Sequence, residues 1–341
     1  MTSTLRDTAR ALVAEGKGIL AADESFGTIE KRFTGIGVES SEDNRRAYRE
    51  MLFTTPGAGD FISGVILFDE TLRQSGSDGR RLVEVLQSQD IVPGIKVDKG
   101  TVDLPGAAGE KMTEGLDGLR KRLEEYHGLG ARFTKWRATY SITDTLPSRY
   151  CYHVNAHALA RYAALSQEQG LVPIVEPEVL MDGPHSIDRC HEVTREALNE
   201  VFEQLFIQRV SLEGMLLKPN MVLSGTEASD RAGAEDVARA TVACLREAVP
   251  AAVPGIVFLS GGQSDEQATA HLDAMNRLGP HPWELSFSYG RALQSPSLKA
   301  WQGAASNVSA GQQAFLHRAR CNSEARYGRY SRELEQAAAG R

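Results

Sequence analysis

Lysines follow short apolar segments at three points along the chain, and this placement suggests amine chemistry. Lys96, Lys135 and Lys218 each come directly after such a segment. A neutral lysine amine can attack a ketone and form an imine, which withdraws electrons from the neighbouring carbon–carbon bond. The attacking lysine must first lose its proton, so its pKa has to fall from about 10.4 toward about 7 or 8. An apolar wall and a neighbouring cation both lower a lysine pKa in this way.

Acidic residues follow other apolar segments in the same manner. Glu176 and Glu178 flank Pro177, and in extended backbone both carboxylates should lie on the same side. Two close carboxylates raise the pKa of one of them, which can then hold a proton near neutral pH. Asp23 follows the first apolar segment of the chain. The pattern predicts general acid–base chemistry beside a lysine that forms an imine.

Two further segments have the composition of an anion-binding site. Gly261 and Gly262 can present bare backbone N–H groups, and Ser260 can donate its hydroxyl. Arg291 follows a glycine and can bind phosphate oxygens with two parallel hydrogen bonds. Each of these features alone has an ordinary structural explanation, because most lone lysines are solvated and most glycine pairs form turns.

Eight short apolar segments alternate with segments of helical periodicity. Their continuous apolar character is typical of parallel strands that are buried on both faces. The predicted strands are 18–22, 64–68, 92–95, 131–134, 171–175, 214–217, 255–259 and 284–287. The predicted helices are 5–15, 42–53, 116–127, 154–169, 191–208, 235–248 and 265–277. Eight such units predict a (β/α)8 barrel, with an open doubly wound sheet as the alternative.

In a parallel barrel, the carboxyl ends of all strands meet at one mouth. The charged residues that follow the predicted strands should therefore converge there. Buried lysines without a function would carry a desolvation cost, so the coincidence at several equivalent positions favours an active site.

The composition is that of a single globular domain. The chain has 341 residues, 41% of them hydrophobic, and a net charge of -7, which argues against nucleic acid as a partner. The four cysteines are scattered, so no disulfide framework or zinc knuckle is predicted. We expect one domain over residues 1–341, with a flexible tail from about residue 331. The sequence shows neither a signal peptide nor a membrane span, which predicts a cytoplasmic protein with no membrane partner.

Seven segments of the sequence together resemble class I fructose-bisphosphate aldolases from about residue 17 to about residue 330. They are GKGILAADES (16–25), GIKVDKG (94–100), KWR (135–137), GLVPIVEPE (170–178), LEGMLLKPNM (212–221), FLSGGQS (258–264) and FSYGRALQ (287–294). LEGMLLKPN is similar to the family's Schiff-base signature. The resemblance implies a (β/α)8 barrel that reversibly cleaves fructose 1,6-bisphosphate to dihydroxyacetone phosphate and glyceraldehyde 3-phosphate in glycolysis and gluconeogenesis.

The resemblance also implies the roles of the catalytic residues. Lys218 matches the Schiff-base nucleophile, and Lys135 matches a lysine that stabilises charge beside it. Glu176 matches the general acid, with Glu178 next to it. Asp23 matches the residue that takes the proton from the C4 hydroxyl. No metal and no cofactor are implied, and the family is commonly tetrameric.

Phosphate recognition is implied in the same way at both ends of a phosphorylated sugar. The residues expected at the phosphate of the dihydroxyacetone half are Ser260, Gly261, Gly262 and Arg291. Those expected at the other phosphate are Lys96, Arg137, Arg32 and Ser25.

Two features depart from the family pattern. Family members commonly end in a flexible tail with a terminal tyrosine that assists proton exchange, whereas this chain ends in QAAAGR, and its last tyrosines are Tyr327 and Tyr330. Either one of these substitutes, or another group performs the step, or the step is slower. Phe26 also stands where a small polar residue is expected, which affects the contacts to the distal phosphate.

Three other functions fit parts of the sequence. His153 and His157 are spaced i, i+4, as in a metal site on one helix face, and would suit a metal-dependent aldolase. A non-catalytic scaffold on the same fold is a second alternative. Another Schiff-base barrel enzyme, such as a transaldolase, is a third, although the phosphate loop and the paired glutamates disfavour it.

Overall fold

Eight parallel strands close into a barrel in a computed structural model that describes residues 2–337. The strands of the protein are β1 Gly18–Ala22, β2 Ile62–Leu67, β3 Val92–Lys96, β4 Thr101–Asp103, β5 Lys111–Thr113, β6 Phe133–Tyr140, β7 Val172–Val179, β8 Leu216–Leu217, β9 Gly255–Phe258 and β10 Glu284–Tyr289. Around the barrel, the strand order is β1, β10, β9, β8, β7, β6, β3 and β2, and β2 pairs again with β1. The closed single-domain barrel confirms the predicted fold and excludes the open sheet.

Helices fill the connections between the strands and surround the barrel. They are α1 Thr2–Leu12, α2 Phe26–Thr34, α3 Glu42–Phe53, α4 Asp69–Arg73, α5 Leu82–Gln87, α6 Leu119–Gly128, α7 Arg149–Glu168, α8 Ile187–Ile207, α9 Ala234–Ala248, α10 Asp265–Arg277, α11 Arg291–Trp301, α12 Val308–Arg326 and α13 Arg332–Gln336. The predicted helices 42–53 and 265–277 coincide with α3 and α10. No helix within residues 2–337 is long and apolar enough to cross a membrane.

The strands are buried on both sides, which explains their continuous apolar sequences. Every residue of β1, β2, β8 and β9 is buried. A small cluster that includes Ile66, Phe133 and Val257 is separate from the larger cluster between strands and helices. A Cβ atom at Gly94 would lie only 2.3 Å from the ring of Phe133, so this glycine makes room for the ring. Such packed layers give the barrel a solid core that holds the strand ends in place.

Two strands, β6 and β7, extend at least four residues past the carboxyl ends of the apolar segments that predicted them. β6 continues to Tyr140, and β7 continues to Val179. Lys135 and Glu176 therefore lie within strands, although the sequence placed them just after strand ends. Because side chains alternate along a strand, Arg137 shares the face of Lys135, and Glu178 shares the face of Glu176. Each strand therefore presents two of these four side chains on the same face, Lys135 with Arg137 on β6 and Glu176 with Glu178 on β7.

The C-terminal segment packs against the outside of the barrel. Helix α13 follows α12, and Glu335 of α13 forms an ion pair with Arg318 of α12. The flexible tail predicted from about residue 331 thus begins in a short helix within the described part of the chain. Its last four residues, 338–341, lie outside the described residues.

Candidate active site

A cavity of about 680 Å³ lies at the carboxyl ends of the barrel strands. Most of the predicted site residues line it. Its polar and charged lining residues are Asp23, Glu24, Ser25, Thr28, Lys31, Arg32, Lys96, Asp98, Lys99, Thr101, Lys135, Arg137, Glu176, Glu178, Lys218, Ser260, Ser288 and Arg291, and Gly261 also lines it. Of the thirteen predicted residues, Gly262 alone is not among the lining residues.

The lining of this cavity is positively charged, although the whole chain is acidic. Eight lining side chains are lysine or arginine and five are aspartate or glutamate, a formal excess of three positive charges. The chain as a whole has a net charge of -7. A concave site with this local excess attracts an anionic ligand, because low-dielectric walls concentrate the field of the lining charges.

Four ionisable side chains form a continuous row deep in the cavity. Lys218 Nζ lies 3.2 Å from Glu176 Oε1, and Lys135 Nζ lies 3.3 Å from Glu176 Oε2. On its other side, Lys135 Nζ lies 2.7 Å from Asp23 Oδ2. The sequence predicted Lys135 as the cation next to Lys218, and the structure places the Glu176 carboxylate between the two ammonium groups. Carboxylates and amines therefore alternate along the row, at distances across which protons can move.

The row lies almost entirely out of contact with water. The side chains of Lys218, Lys135 and Glu176 are each 5% exposed, and that of Asp23 is 12% exposed. Within residues 2–337, Glu176 Oε2 is buried and accepts no hydrogen bond, although it lies close to Lys135. A buried carboxylate oxygen without a hydrogen-bond donor is costly, and it provides a ready acceptor for a proton from a bound ligand.

The charged forms of Asp23 and Lys135 stabilise each other. Burial by itself would raise the pKa of Asp23, but the ammonium groups of Lys135 and Lys218 hold this pKa well below its usual range. Burial would lower the pKa of Lys135, but Asp23 and Glu176 raise this pKa above its usual range. Both groups are therefore charged at neutral pH. The contribution of Asp23 to stability is present above its unfolded pKa of about 4 and is lost only as pH falls through the lowered pKa.

Other acids of the cavity hold cations in position. Glu178 forms an ion pair with Arg137, and this pair raises the pKa of the Arg137 guanidinium against the effect of burial. Lys96 Nζ lies 2.7 Å from Asp98 Oδ1 and also donates to the Asp98 carbonyl. Glu178 thus contacts a cation, whereas the sequence predicted it as a partner that shares a proton with Glu176.

The predicted phosphate loop lies across the mouth from Lys96. Ser260 and Gly261 line the cavity, and Arg291 begins α11 directly after Gly290. The first N–H groups of a helix attract anions, so the start of α11 reinforces the charge of Arg291. Gly262 has a φ of 75°, and a Cβ there would lie 2.6 Å from Met181. Gly262 thus shapes the turn from outside the cavity lining.

Ser25 and Arg32 line the cavity beyond the end of β1, and Arg32 lies beside the phosphate loop, since a Cβ atom at Gly290 would be 3.7 Å from its guanidinium group. Arg32 forms an ion pair with Glu24, and Ser25 Oγ lies 3.1 Å from Thr28 Oγ1. Phe26, the unexpected residue of this loop, is 51% exposed and packs edge-on against Phe68 outside the cavity lining. The Phe26 ring therefore does not obstruct the cavity.

A buried network beneath the mouth was not predicted from the sequence. Glu24 Oε2 accepts from Arg49 at 2.5 Å, and Gln294 donates to both Glu24 Oε1 at 2.8 Å and the Ala21 carbonyl at 2.6 Å. Burial opposes ionisation of Glu24, but Arg49 and then Arg32 lower its pKa below the usual value. These hydrogen bonds hold the end of β1 in place, and Asp23 is held with it because it directly follows this strand.

Several further residues line the cavity, and two of them, Lys99 and Ser288, follow predicted strands and were expected at the mouth. Ser288 Oγ lies buried at the cavity without a hydrogen-bond partner in the described chain, so it is available to a ligand. Thr28, Lys31 and Lys99 line the mouth as well. Thr28 and Lys31 belong to α2, which the sequence analysis did not identify, and this explains why their positions were not anticipated.

The last tyrosines and the histidine pair lie away from the cavity. A Cβ at Gly16, which precedes β1, would lie 2.5 Å from the Tyr327 hydroxyl, so Tyr327 is at the amino ends of the strands. The Tyr330 hydroxyl donates to Glu335 at 2.6 Å. His153 and His157 of α7 contact Glu200 and Gln208 on the outside of the barrel. Neither tyrosine is therefore placed to assist proton exchange.

Comparisons with known proteins agree on one family. The sequence model described as fructose-bisphosphate aldolase class-I matches residues 4–341. A probable fructose-bisphosphate aldolase class 1 of Xanthomonas campestris pv. campestris is 57% identical over 327 residues, which are 96% of this chain and 98% of that protein. The cytosolic fructose-bisphosphate aldolase 6 of Arabidopsis thaliana is 57% identical over 316 residues, which are 92% of this chain and 88% of that protein.

A solved structure is similar over nearly the whole chain. It is the fructose-bisphosphate aldolase of Plasmodium falciparum in complex with TRAP and a small-molecule inhibitor. The TM-score is 0.96 at 52% sequence identity, with 96% of this chain and 95% of that chain covered.

Proposed function

The chain belongs to the class I fructose-bisphosphate aldolase family, and we propose that it cleaves fructose 1,6-bisphosphate through an imine on Lys218. The products are dihydroxyacetone phosphate and glyceraldehyde 3-phosphate, and the reaction is reversible. The observation that carries the assignment of residues is the buried row of Lys218, Glu176, Lys135 and Asp23, with spacings of 2.7 to 3.3 Å.

Imine formation uses the Lys218 end of the row. Transfer of a proton from Lys218 to Glu176, across 3.2 Å, frees the amine to attack the C2 ketone. The carbinolamine then loses water, and the protonated Glu176 donates the proton that the departing hydroxyl needs. The positive charge of the resulting iminium ion makes C2 the electron sink, and this function requires no metal ion.

Carbon–carbon cleavage uses the Asp23 end of the row. The Asp23 carboxylate takes the proton of the C4 hydroxyl, and the C4 oxygen forms the carbonyl of the aldehyde as the C3–C4 bond breaks. The electron pair of that bond forms a C2=C3 double bond, while the C2=N π pair moves to the nitrogen and leaves a neutral enamine on Lys218. Lys135 keeps Asp23 ionised for this step and stabilises the charge that moves along the row.

Phosphate groups orient the sugar between the two ends of the cavity. We assign the phosphate of the dihydroxyacetone half to Ser260, Gly261 and Arg291, with Gly262 forming the turn. We assign the second phosphate to Ser25, Lys96 and Arg137. Arg32, expected there from the sequence, lies beside Gly290 and is therefore nearer to the first phosphate. Glu178 acts through its ion pair by holding Arg137 toward the cavity.

Arg291→Ala is expected to raise KM for fructose 1,6-bisphosphate by about 10- to 100-fold, the usual effect of losing a hydrogen bond to a charged group. kcat should change much less, because Arg291 binds the same phosphate in substrate and transition state. Steady-state kinetics measure both constants. Lys299→Ala is the matched control, since Lys299 is on the same helix but does not line the cavity. An unchanged KM in Arg291→Ala would remove its assigned role.

Borohydride trapping tests the mechanism directly. The protein is mixed with dihydroxyacetone phosphate, reduced with borohydride and digested, and the added mass is located by peptide mapping. We expect one adduct on Lys218, formed equally well in EDTA. Activity lost to the chelator would instead favour a metal-dependent aldolase, and the absence of both activity and adduct would favour a scaffold.

We also propose that the protein is a cytoplasmic homo-oligomer, a tetramer by family resemblance. Phe206 and Ile207 are adjacent at the end of α8, are 84% and 58% exposed, and offer an apolar contact that a second copy of the chain could cover. A relative named cytosolic supports the compartment. Sedimentation velocity at micromolar concentration gives the number of copies, and the mass of one chain would contradict the proposal.

A further inference from the structure

We propose that His317, Cys321 and Glu335 form a binding site for one zinc ion, outside the catalytic cavity. The three side chains bring an imidazole nitrogen, a sulfur and a carboxylate oxygen within 4.8 Å of one another. Two of them belong to α12 and the third to α13. A bound ion would therefore link the C-terminal helix of the described chain to the body of the barrel.

The donor set favours zinc over harder or larger ions. Zinc is bound by thiolate, imidazole and carboxylate ligands in tetrahedral geometry, whereas magnesium and calcium take oxygen ligands almost exclusively. His317 and Cys321 are spaced i, i+4, which places both side chains on one face of α12. Three protein ligands leave the fourth position of a tetrahedral ion to water.

The distances between donor atoms are close to those of a tetrahedral site. Cys321 Sγ lies 3.5 Å from His317 Nε2, and His317 Nε2 lies 3.8 Å from Glu335 Oε1. With bonds of about 2.3 Å to sulfur and about 2.0 Å to nitrogen or oxygen, tetrahedral ligand atoms are separated by roughly 3.5 Å. Binding thus requires only a small approach of the Glu335 carboxylate toward the sulfur.

The residues around the cluster allow an ion to enter from solvent, and their hydrogen bonds keep the Glu335 carboxylate in position. Cys321 is fully buried, but the side chains of His317 and Glu335 are 18% and 17% exposed, so an ion can enter from their side. The Tyr330 hydroxyl donates to Glu335 Oε2, and Arg318 donates to Oε1. Such outer hydrogen bonds orient metal ligands, and a carboxylate oxygen has a second lone pair for the ion.

The cluster also has a simpler explanation, as an ion pair between Arg318 and Glu335 beside a buried thiol. That explanation predicts no metal binding. In our proposal the Cys321 thiol binds as thiolate and releases its proton to solvent, while no electrons are exchanged. None of the three ligands lines the catalytic cavity, so the ion has no part in the aldol reaction.

Titration of the metal-free, full-length protein with Co²⁺ tests this site, because a cobalt–thiolate bond gives a charge-transfer band in the near ultraviolet. We expect the band to saturate at one equivalent per chain and to disappear when Zn²⁺ is added. Cys321→Ser should abolish the band. His317→Gln and Glu335→Gln, which change partly exposed residues, should weaken Co²⁺ binding by more than about 100-fold, beyond the usual loss for outer-shell residues.

Cys190→Ser is the matched control, because Cys190 is equally buried in a different helix and should leave the band unchanged. Aldol activity with fructose 1,6-bisphosphate should be the same with and without zinc. Absence of a sulfur band in the unaltered protein would overturn the proposal. So would Co²⁺ affinity that is unchanged in both His317→Gln and Glu335→Gln.

Discussion

Lys218→Ala is expected to reduce aldol cleavage to the background of the assay, a loss of about four to six orders of magnitude. Lys135 cannot replace it, because its ammonium group is held by Asp23 at 2.7 Å and by Glu176 at 3.3 Å. Without the imine, C2 has no electron sink, and the remaining charges can only bind the substrate. A coupled assay that oxidises NADH with the triose products measures the loss.

The interpretation of this variant requires proof that the fold is intact. Lys218 is 4% exposed, and its loss leaves Glu176 with Lys135 as its one remaining cationic neighbour in the row. Circular dichroism and binding of a non-cleavable phosphorylated sugar should therefore match the unaltered protein. Lys121→Ala, at an exposed position of α6, controls for the loss of a lysine in general. Cleavage retained in folded Lys218→Ala would disprove the imine mechanism.

The barrel was predictable because its strands are buried on both faces. A strand such as β2 is one continuous apolar segment of the sequence, and the helices α3 and α10 show clear helical periodicity after an acidic first turn. The predicted strand 255–259 differs from β9 by one residue. Burial on both sides therefore leaves a strong signal in the sequence, and the alternation of such signals defines the fold.

The ends of the longest strands were not predictable by the same means. β6 and β7 continue through charged residues, since Lys135 and Glu176 point into the polar mouth while Trp136 and Val175 stay in the core. A change from apolar to alternating character was interpreted as the end of each strand. The difference matters for function, because positions within a strand fix the side-chain direction far more tightly than a loop does.

Contacts between distant segments were beyond the reach of sequence patterns. Arg49 is one of several arginines in α3, and its sequence neighbourhood gives no sign that it pairs with Glu24 under the mouth. Gln294 reaches the same carboxylate from a position 270 residues later in the chain. The resemblance to a family identified the reacting residues. Only the three-dimensional arrangement identifies the residues, such as Arg49 and Gln294, that keep the reacting side chains in position.

Asp23→Asn is expected to lower kcat for cleavage of fructose 1,6-bisphosphate by about 10²- to 10⁴-fold, the usual contribution of a general base. An amide cannot take the C4 proton, and the substitution removes one of the two negative neighbours of Lys135. Imine formation with dihydroxyacetone phosphate should persist, because that ketone has no C4 hydroxyl. Kinetics and borohydride trapping on the same preparation thus separate the two halves of the reaction.

Asp23→Glu is the matched control, because it keeps the carboxylate but displaces it by one methylene. It should recover part of the activity lost in Asp23→Asn, whereas a purely structural role for Asp23 would make both variants unstable to a similar degree. The assignment is therefore supported by a specific set of results. Asp23→Asn should retain borohydride trapping but lose cleavage, and Asp23→Glu should recover part of the cleavage activity. If trapping fell in parallel with cleavage in a folded Asp23→Asn protein, the residue would act on the imine itself, and the assignment of the row's two ends would have to be reversed.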